Sequence, residues 1–224
     1  MEEAGKTTKG ERTKQQILDV AVRLFLAEGY EQTSMRRIAE EAGVSLGNAY
    51  YYFASKEHLV QGFYARVHEA HIRLLEPALA KETTFKRRLQ RMLETKIEAA
   101  TPFHAFSGLI FRTAADPKSP LNPFSAESKE VRDSATAAVR RVIDGSKEKA
   151  PKGLEDELPE LIWLYEMAVI LFWIHDASPN FARTRRLIER TVDIVARLLA
   201  ILGLPLLGPL RKATKRVLSD IRST

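Results

Sequence analysis

Between Arg36 and Lys56 the sequence gathers Ser45, Asn48, Tyr50, Tyr51 and Tyr52, with a cation at either end. Hydroxyls, a carboxamide, a guanidinium and an ammonium are the donors that suit phosphate oxygens and the edges of bases. The three consecutive tyrosines cannot all turn inward from one helix, because successive side chains point about 100° apart. At least one is presented outward. Gly47 leaves an open spot beside them where another backbone can approach.

Other reactive side chains form no constellation. The five histidines are His58, His68, His71, His104 and His175. His68 and His71 are spaced to share one face of a helix, which could bring two metal ligands together, but no HExxH pattern and no third ligand accompany them. They read more simply as polar surface histidines. His175 and Asp176 fit a helix end, where either can satisfy backbone groups. The glycines form no phosphate loop, and without cysteine neither a disulfide nor a thiolate metal site is available. The sequence therefore predicts no catalytic residues, no metal, no cofactor and no enzyme.

The donor cluster needs elements to hold it. Thr33 or Ser34 can cap a short helix in which Met35, Ile38 and Ala39 share a face. Gly43 supplies the positive φ of a tight turn, Val44 plugs the angle between two helices, and Ser45 caps a second helix from Leu46 to about Tyr52. Two short helices joined by a glycine-containing turn are the mark of a helix-turn-helix, whose second helix reads the major groove. An earlier helix, about Glu11 to Glu28, carries Ile17, Leu18, Ala21, Val22, Leu24 and Phe25 as an apolar stripe and stops at Gly29. The predicted small core joins Ile17, Ala21, Phe25, Ile38, Ala42, Val44 and Ala49 or Tyr50. Ser55 caps a long linking helix to about Glu76.

The remainder reads as helices over about 85–100, 103–114, 126–149, 158–176, 179–202 and 206–221, with prolines marking the main breaks. No stretch alternates as a strand would. The fold class is all-α: a three-helix head with a helix-turn-helix over residues 11–54, preceded by a flexible tail at 1–10 and followed by a larger helical body over 55–224. In that body Phe103, His104, Phe111, Arg112, Trp163, Tyr165 and Met167 are candidates for an effector pocket that mixes apolar walls with few polar anchors. Arg112 stands out on an apolar helix, since a buried unpaired charge is costly; it would meet an acidic ligand or a carboxylate such as Glu166. The two late helices hold more apolar surface than one layer covers. Pairing them with a second copy through Ile162, Val169, Phe172, Leu187, Ile194 and Leu198 would make a four-helix interface.

Charge is distributed unevenly. The chain has a net charge of +6, yet residues 1–60 carry 8 Lys and Arg against 9 Asp and Glu. Backbone attraction to a polyanion would fall to Arg36, Arg37, Lys56 and the early cations Lys6, Lys9, Arg12 and Lys14. The first residues have no apolar run like a secretory signal, and the apolar stretch from Met167 to Ile174 is too short to span a bilayer. The expectation is a cytoplasmic protein with no membrane partner.

The run Thr33, Ile38, Ala39, Ala42, Gly43, Val44, Ser45, Gly47, Tyr50, Tyr52, Phe53, Lys56 and Leu59, with ILDVAVRLFLAEGY before it, resembles the DNA-binding domain of the TetR family of bacterial transcriptional regulators. The resemblance covers roughly residues 12–60. It implies a homodimer on a palindromic double-stranded operator, usually a repressor released when a small-molecule effector enters the body and moves the linking helix. Carried over by position, it implies that Arg36, Ser45, Asn48, Tyr50, Tyr51, Tyr52 and Lys56 face DNA. Asn48, Tyr51, Tyr52 and Arg36 would do the base reading, while Tyr50 and Lys56 hold phosphates. The family more often has His where this chain has Tyr52. An activator, or a DNA binder without an effector, would use the same head.

Overall fold

The computed structural model describes residues 8–202, and every described element is helical. The helices are α1 (Lys9–Glu28), α2 (Met35–Glu41), α3 (Leu46–Tyr52), α4 (Lys56–Leu79), α5 (Phe85–Ala100), α6 (His104–Ala114), α7 (Lys129–Asp144), α8 (Leu158–Ile174) and α9 (Ala182–Leu202), with single 3-10 turns at Thr101–Phe103 and Pro179–Phe181. The expected closing helix over 206–221 and most of the expected tail lie outside the described residues.

The start of α1 has a local cause. Thr8 and Glu11 satisfy each other's backbone: Glu11 N–H donates to Thr8 Oγ1 at 3.2 Å and Thr8 N–H to Glu11 Oε2 at 2.6 Å. That reciprocal cap draws Lys9 and Gly10 into α1, so the helix begins two residues before the expected Glu11. At its far end Gly29 has a φ of +90° and donates to Phe25. The linking helix α4 runs past Pro77 to Leu79, beyond the expected Glu76. A proline so near the end removes only one late backbone bond, and its fixed φ is helical. Helix α7 is shorter than expected at both ends.

The start of α9 also departs from expectation. Pro179 opens a 3-10 turn in which Asn180 and Phe181 take left-handed φ of 52° and 53°. The α-helix begins only at Ala182, because Asp176 reaches across and accepts from Thr184 N–H at 2.8 Å, Thr184 Oγ1 at 2.7 Å and Ser178 N–H at 2.9 Å. Burial pushes the Asp176 carboxyl up, but these donors outweigh it and hold the group well below the usual carboxylate range.

The chain divides into two compact units. One comprises the head helices and α4 to Arg66, then resumes over Phe103–Val131; the other holds Val67–Pro102 and the chain from Arg132 on. The boundary at residue 54 thus falls inside the first unit, and α6 belongs with the head. The cause is aromatic. Phe106, fully buried, stacks on Phe25 of α1 with ring centres 6.1 Å apart and meets Phe63 of α4 edge-on at 4.6 Å. Ile17, Ala21, Phe25, Ile38, Ala42 and Ala49 are buried as expected. Val44 is only half-buried, and Tyr50 is 48 % exposed, so Ala49 rather than Tyr50 completes the core.

In the second unit α5 lies against both α8 and α9. Arg88 is buried and donates to four carbonyls: Leu79 at 2.8 Å at the end of α4, Glu82 at 3.0 Å just after it, and Arg141 at 2.8 Å and Val142 at 3.0 Å in α7. One guanidinium thereby satisfies the ends of two helices.

Candidate nucleic-acid interface

The angle between α2 and α3 is set by four residues. Ser34 accepts from Arg37 N–H and caps α2. Gly43, at a φ of +64°, turns the chain. Val44 N–H donates back to Ala39, and Ser45 accepts from Asn48 N–H at 3.1 Å, capping α3. Thr33, the other candidate cap, instead turns its hydroxyl to Gly29 O at 2.8 Å and pins the link between α1 and α2. Only Ala49 of α3 is buried, so the rest of this short helix is available to solvent.

The seven donors differ in how free they are. Tyr51 is 81 % exposed, the most exposed large apolar side chain described, and Asn48 is exposed beside it. Arg36 is exposed and forms no ion pair among the described residues, whereas Arg37 is held by Glu28 and Glu41. Tyr52 is half-buried and edge-on to Tyr51, with ring centres 5.1 Å apart. Its hydroxyl lies where a side chain at Gly10 would come within 3.3 Å, so the first turn of α1, with exposed Lys9 and Arg12, adjoins the end of α3. Lys56 is committed elsewhere: its ammonium donates to Tyr30 O at 2.8 Å and sits 4.5 Å from the centre of the Tyr30 ring. It ties α4 to the link before α2, which the sequence did not signal.

The body candidates are shared between the two compact units. Phe103, His104, Phe111 and Arg112 belong to the first unit; Trp163, Tyr165 and Met167 belong to the second. Arg112 is exposed in the last turn of α6, where a cation suits the helix end, so it is not a buried charge awaiting a partner. Glu166, its suggested partner, is buried and pairs with Lys96 at 3.1 Å. Phe103 packs on Phe63 and under Arg66.

His68 and His71 are buried, not surface residues. Burial lowers both, with Lys96 adding to the effect: His68 to about 4 and His71 to about 2. Such depressed groups contribute stability that is complete above the unfolded histidine value of about 6.5 and is lost as pH falls toward the folded value. Between pH 6.5 and 4, His71 is expected to cost at most about 1.4 kcal/mol per pH unit. Equilibrium unfolding as a function of pH checks this: His71→Gln should flatten the acid limb by up to that slope, and an unchanged limb would refute it. No cluster of three or more metal-ligating side chains occurs among the described residues.

Residues 88–216 match the model of tetracyclin repressor-like C-terminal domains, and residues 17–62 that of bacterial regulatory proteins of the tetR family. The chain belongs to the TetR family. Within it, the transcriptional regulator TtgR of Pseudomonas putida is 38 % identical over 63 residues, spanning 28 % of this chain and 30 % of TtgR. This TetR-family chain thus covers about a third or less of that relative's length. Across the whole fold it is similar to a putative TetR-family regulator from Syntrophomonas wolfei, with a TM-score of 0.66 at 18 % identity over 84 % of this chain and 96 % of the other. It is also similar to FadR from Bacillus subtilis, a structure with stearoyl-CoA, with a TM-score of 0.61 at 17 % identity over 80 % and 96 %.

Among the described residues, α8 and α9 carry exposed apolar side chains. Leu164, Leu171 and Phe172 of α8 and Ile194, Leu198 and Ile201 of α9 are all more than a third exposed. Ile162 and Val169, expected on this face, are instead buried inside the protomer. A helix apolar all round cannot reveal from its sequence which side its own fold covers. Leu187 is half-buried at the edge. No described helix is long and apolar enough to cross a membrane.

Proposed function

We propose that this protein is a transcriptional regulator that binds a palindromic operator as a homodimer, represses from it in the cytoplasm, and releases it when a small molecule binds the body. The observation that carries the reading is the capped α2–Gly43–α3 turn with Tyr51 and Asn48 presented outward at its end. Arg36 joins them in reading bases, while Tyr50, Ser45 and the cations of α1 hold phosphates. Lys56 contributes by fixing the head. The head works over α1–α3; the effector acts on the body, and α4, continuous through both units, carries its effect.

Dimerisation follows from the uncovered face of α8 and α9. On α9, Leu187, Ile194, Leu198 and Ile201 recur at near-heptad spacing, as a four-helix interface requires. Replacing both Ile194 and Leu198 with Asp is expected to leave a folded monomer and to abolish operator binding at concentrations where the parent is dimeric. Sedimentation or light scattering checks the first expectation; a dimer that survives the double change would refute this face. Operator footprinting in the presence and absence of candidate effectors tests the whole reading. The effector is mainly apolar; the stearoyl-CoA in the structure of FadR, a protein of the same fold, joins a long apolar chain to a charged head.

A further inference from the structure

The second unit buries two imidazoles a turn apart on α4 whose Nδ1 atoms have no partner among the described residues. His71 lies 3.1 Å through Nε2 from Met92 O, so Nε2 carries the proton and Nδ1 is a bare lone pair. His68 bonds through Nε2 to Ser134 Oγ of α7 at 2.9 Å. Both rings are at least nine-tenths buried and their centres are 6.2 Å apart. Buried polar atoms normally find partners, and an orphan in a native fold calls for an explanation.

His68 also lines an open groove of about 670 Å³ between α4 and α7. Ile72 and Ala137 supply its apolar walls; Ser134, Arg73 and Arg141 supply polar groups. Arg73 is exposed and forms no ion pair among the described residues, while Arg141 shares its charge with Glu76. Glu69 is the one carboxylate in the lining. The lining therefore offers two guanidiniums, a hydroxyl and an imidazole beside a short apolar wall. A neutral alcohol would leave the guanidiniums unused, whereas a carboxylate takes them in forked hydrogen bonds.

We infer that the groove between α4 and α7 is the effector site and that it takes an amphiphilic carboxylic acid, its head on Arg73, Arg141 and Ser134 and its tail along Ile72 and Ala137. The inference rests on the ligand-responsive reading above and names the ligand class for it. When Nε2 of His68 donates to Ser134 Oγ, the exposed Ser134 hydroxyl is held at the groove wall and is free to donate to the carboxylate. The site bears directly on α4, since His68 lies two residues beyond Arg66, the last α4 residue of the first unit.

The test compares decanoate with decanol, which share a tail and differ in the charge of the head, on the full-length protein. Binding is read by calorimetry and by the fluorescence of Trp163 and Trp173, the two tryptophans of the chain. Decanoate should bind about tenfold or more tighter than decanol, and Arg73→Gln and Ser134→Ala, both at exposed positions, should each weaken decanoate by about tenfold. His68→Leu should do the same, with operator binding retained as its folding control. Equal binding of the two probes, no binding of decanoate, or indifference to all three substitutions overturns the inference. Operator binding is measured separately. If the protein binds its operator and another compound releases it without dependence on His68 or Arg73, the regulatory reading stands and this site falls. If decanoate binds as described but no operator is found, the site stands and the regulatory reading falls.

Discussion

Tyr51→Ala is expected to weaken operator binding on the order of thirty- to a thousandfold while leaving the dimer and its thermal unfolding unchanged. Tyr51 is 81 % exposed, and no hydrogen bond holds its hydroxyl within the described fold, so its loss should barely disturb the head. Its contact with the neighbouring Tyr52 ring is edge-on at the surface. A side chain that reads a base edge well contributes about 1–3 kcal/mol of discrimination, and a two-fold dimer makes each contact twice. Two such losses, at the lower half of that range, give the stated factor. Mobility shift at fixed salt measures it, since salt alone moves such affinities strongly. Wild-type affinity in the variant, with the dimer intact, would mean that α3 does not read DNA through Tyr51.

Arg88→Ala should be the most destabilising single change at a side chain outside the apolar core. Its guanidinium is the shared donor for carbonyls that end α4 and α7, and the residue is 8 % exposed. Hydrogen bonds to a charged donor contribute about 1.5–3 kcal/mol each, and carbonyls left unpaired in a buried site add a desolvation cost. Allowing for strong non-additivity among four bonds on one group, the expected loss is about 3–5 kcal/mol, a large share of the stability of an ordinary domain. Gly145 gives an internal check. A Cβ there would lie 2.2 Å from Arg88 Nη2, so Gly145→Ala must displace the guanidinium. Gly145→Ala should therefore destabilise the parent and add almost nothing on top of Arg88→Ala. Denaturant unfolding of the two single variants and the double variant decides it; additive losses would show that the two positions act independently.

The parts of this fold that local chemistry controls were legible in the sequence. Ser34, Gly43 and Ser45 act within a turn of their own position, and each does what its residue type predicts. The glycine turn and the outward tyrosine of α3 follow from the same short-range rules. What stayed hidden depends on residues distant in sequence. Nothing near Lys56 signals that its ammonium will meet the carbonyl of Tyr30. Gly10 reads as a tail residue until Tyr52 is seen against it. His68 and His71 share a stripe with both polar and apolar neighbours, so periodicity could not tell that α5 and α7 would bury them. Ile162 and Val169 lie on the core side of α8; that helix is apolar on every side, so only the packing of α5 and α9 decides which side is core. Arg112 looked like a buried anchor for the same reason, and α6 turned it outward.

The proposed role is that of a dimeric operator binder switched by a ligand in its body. Footprinting of the purified dimer on the DNA upstream of its own gene, with and without amphiphilic acids, tests it most directly. The expected result is a protected palindrome with half-sites about one helical turn apart, lost on addition of an acid that the body binds. Protection that persists at saturating, calorimetrically verified ligand, or a verified dimer that protects no site in upstream or genomic DNA even at low salt, would contradict it.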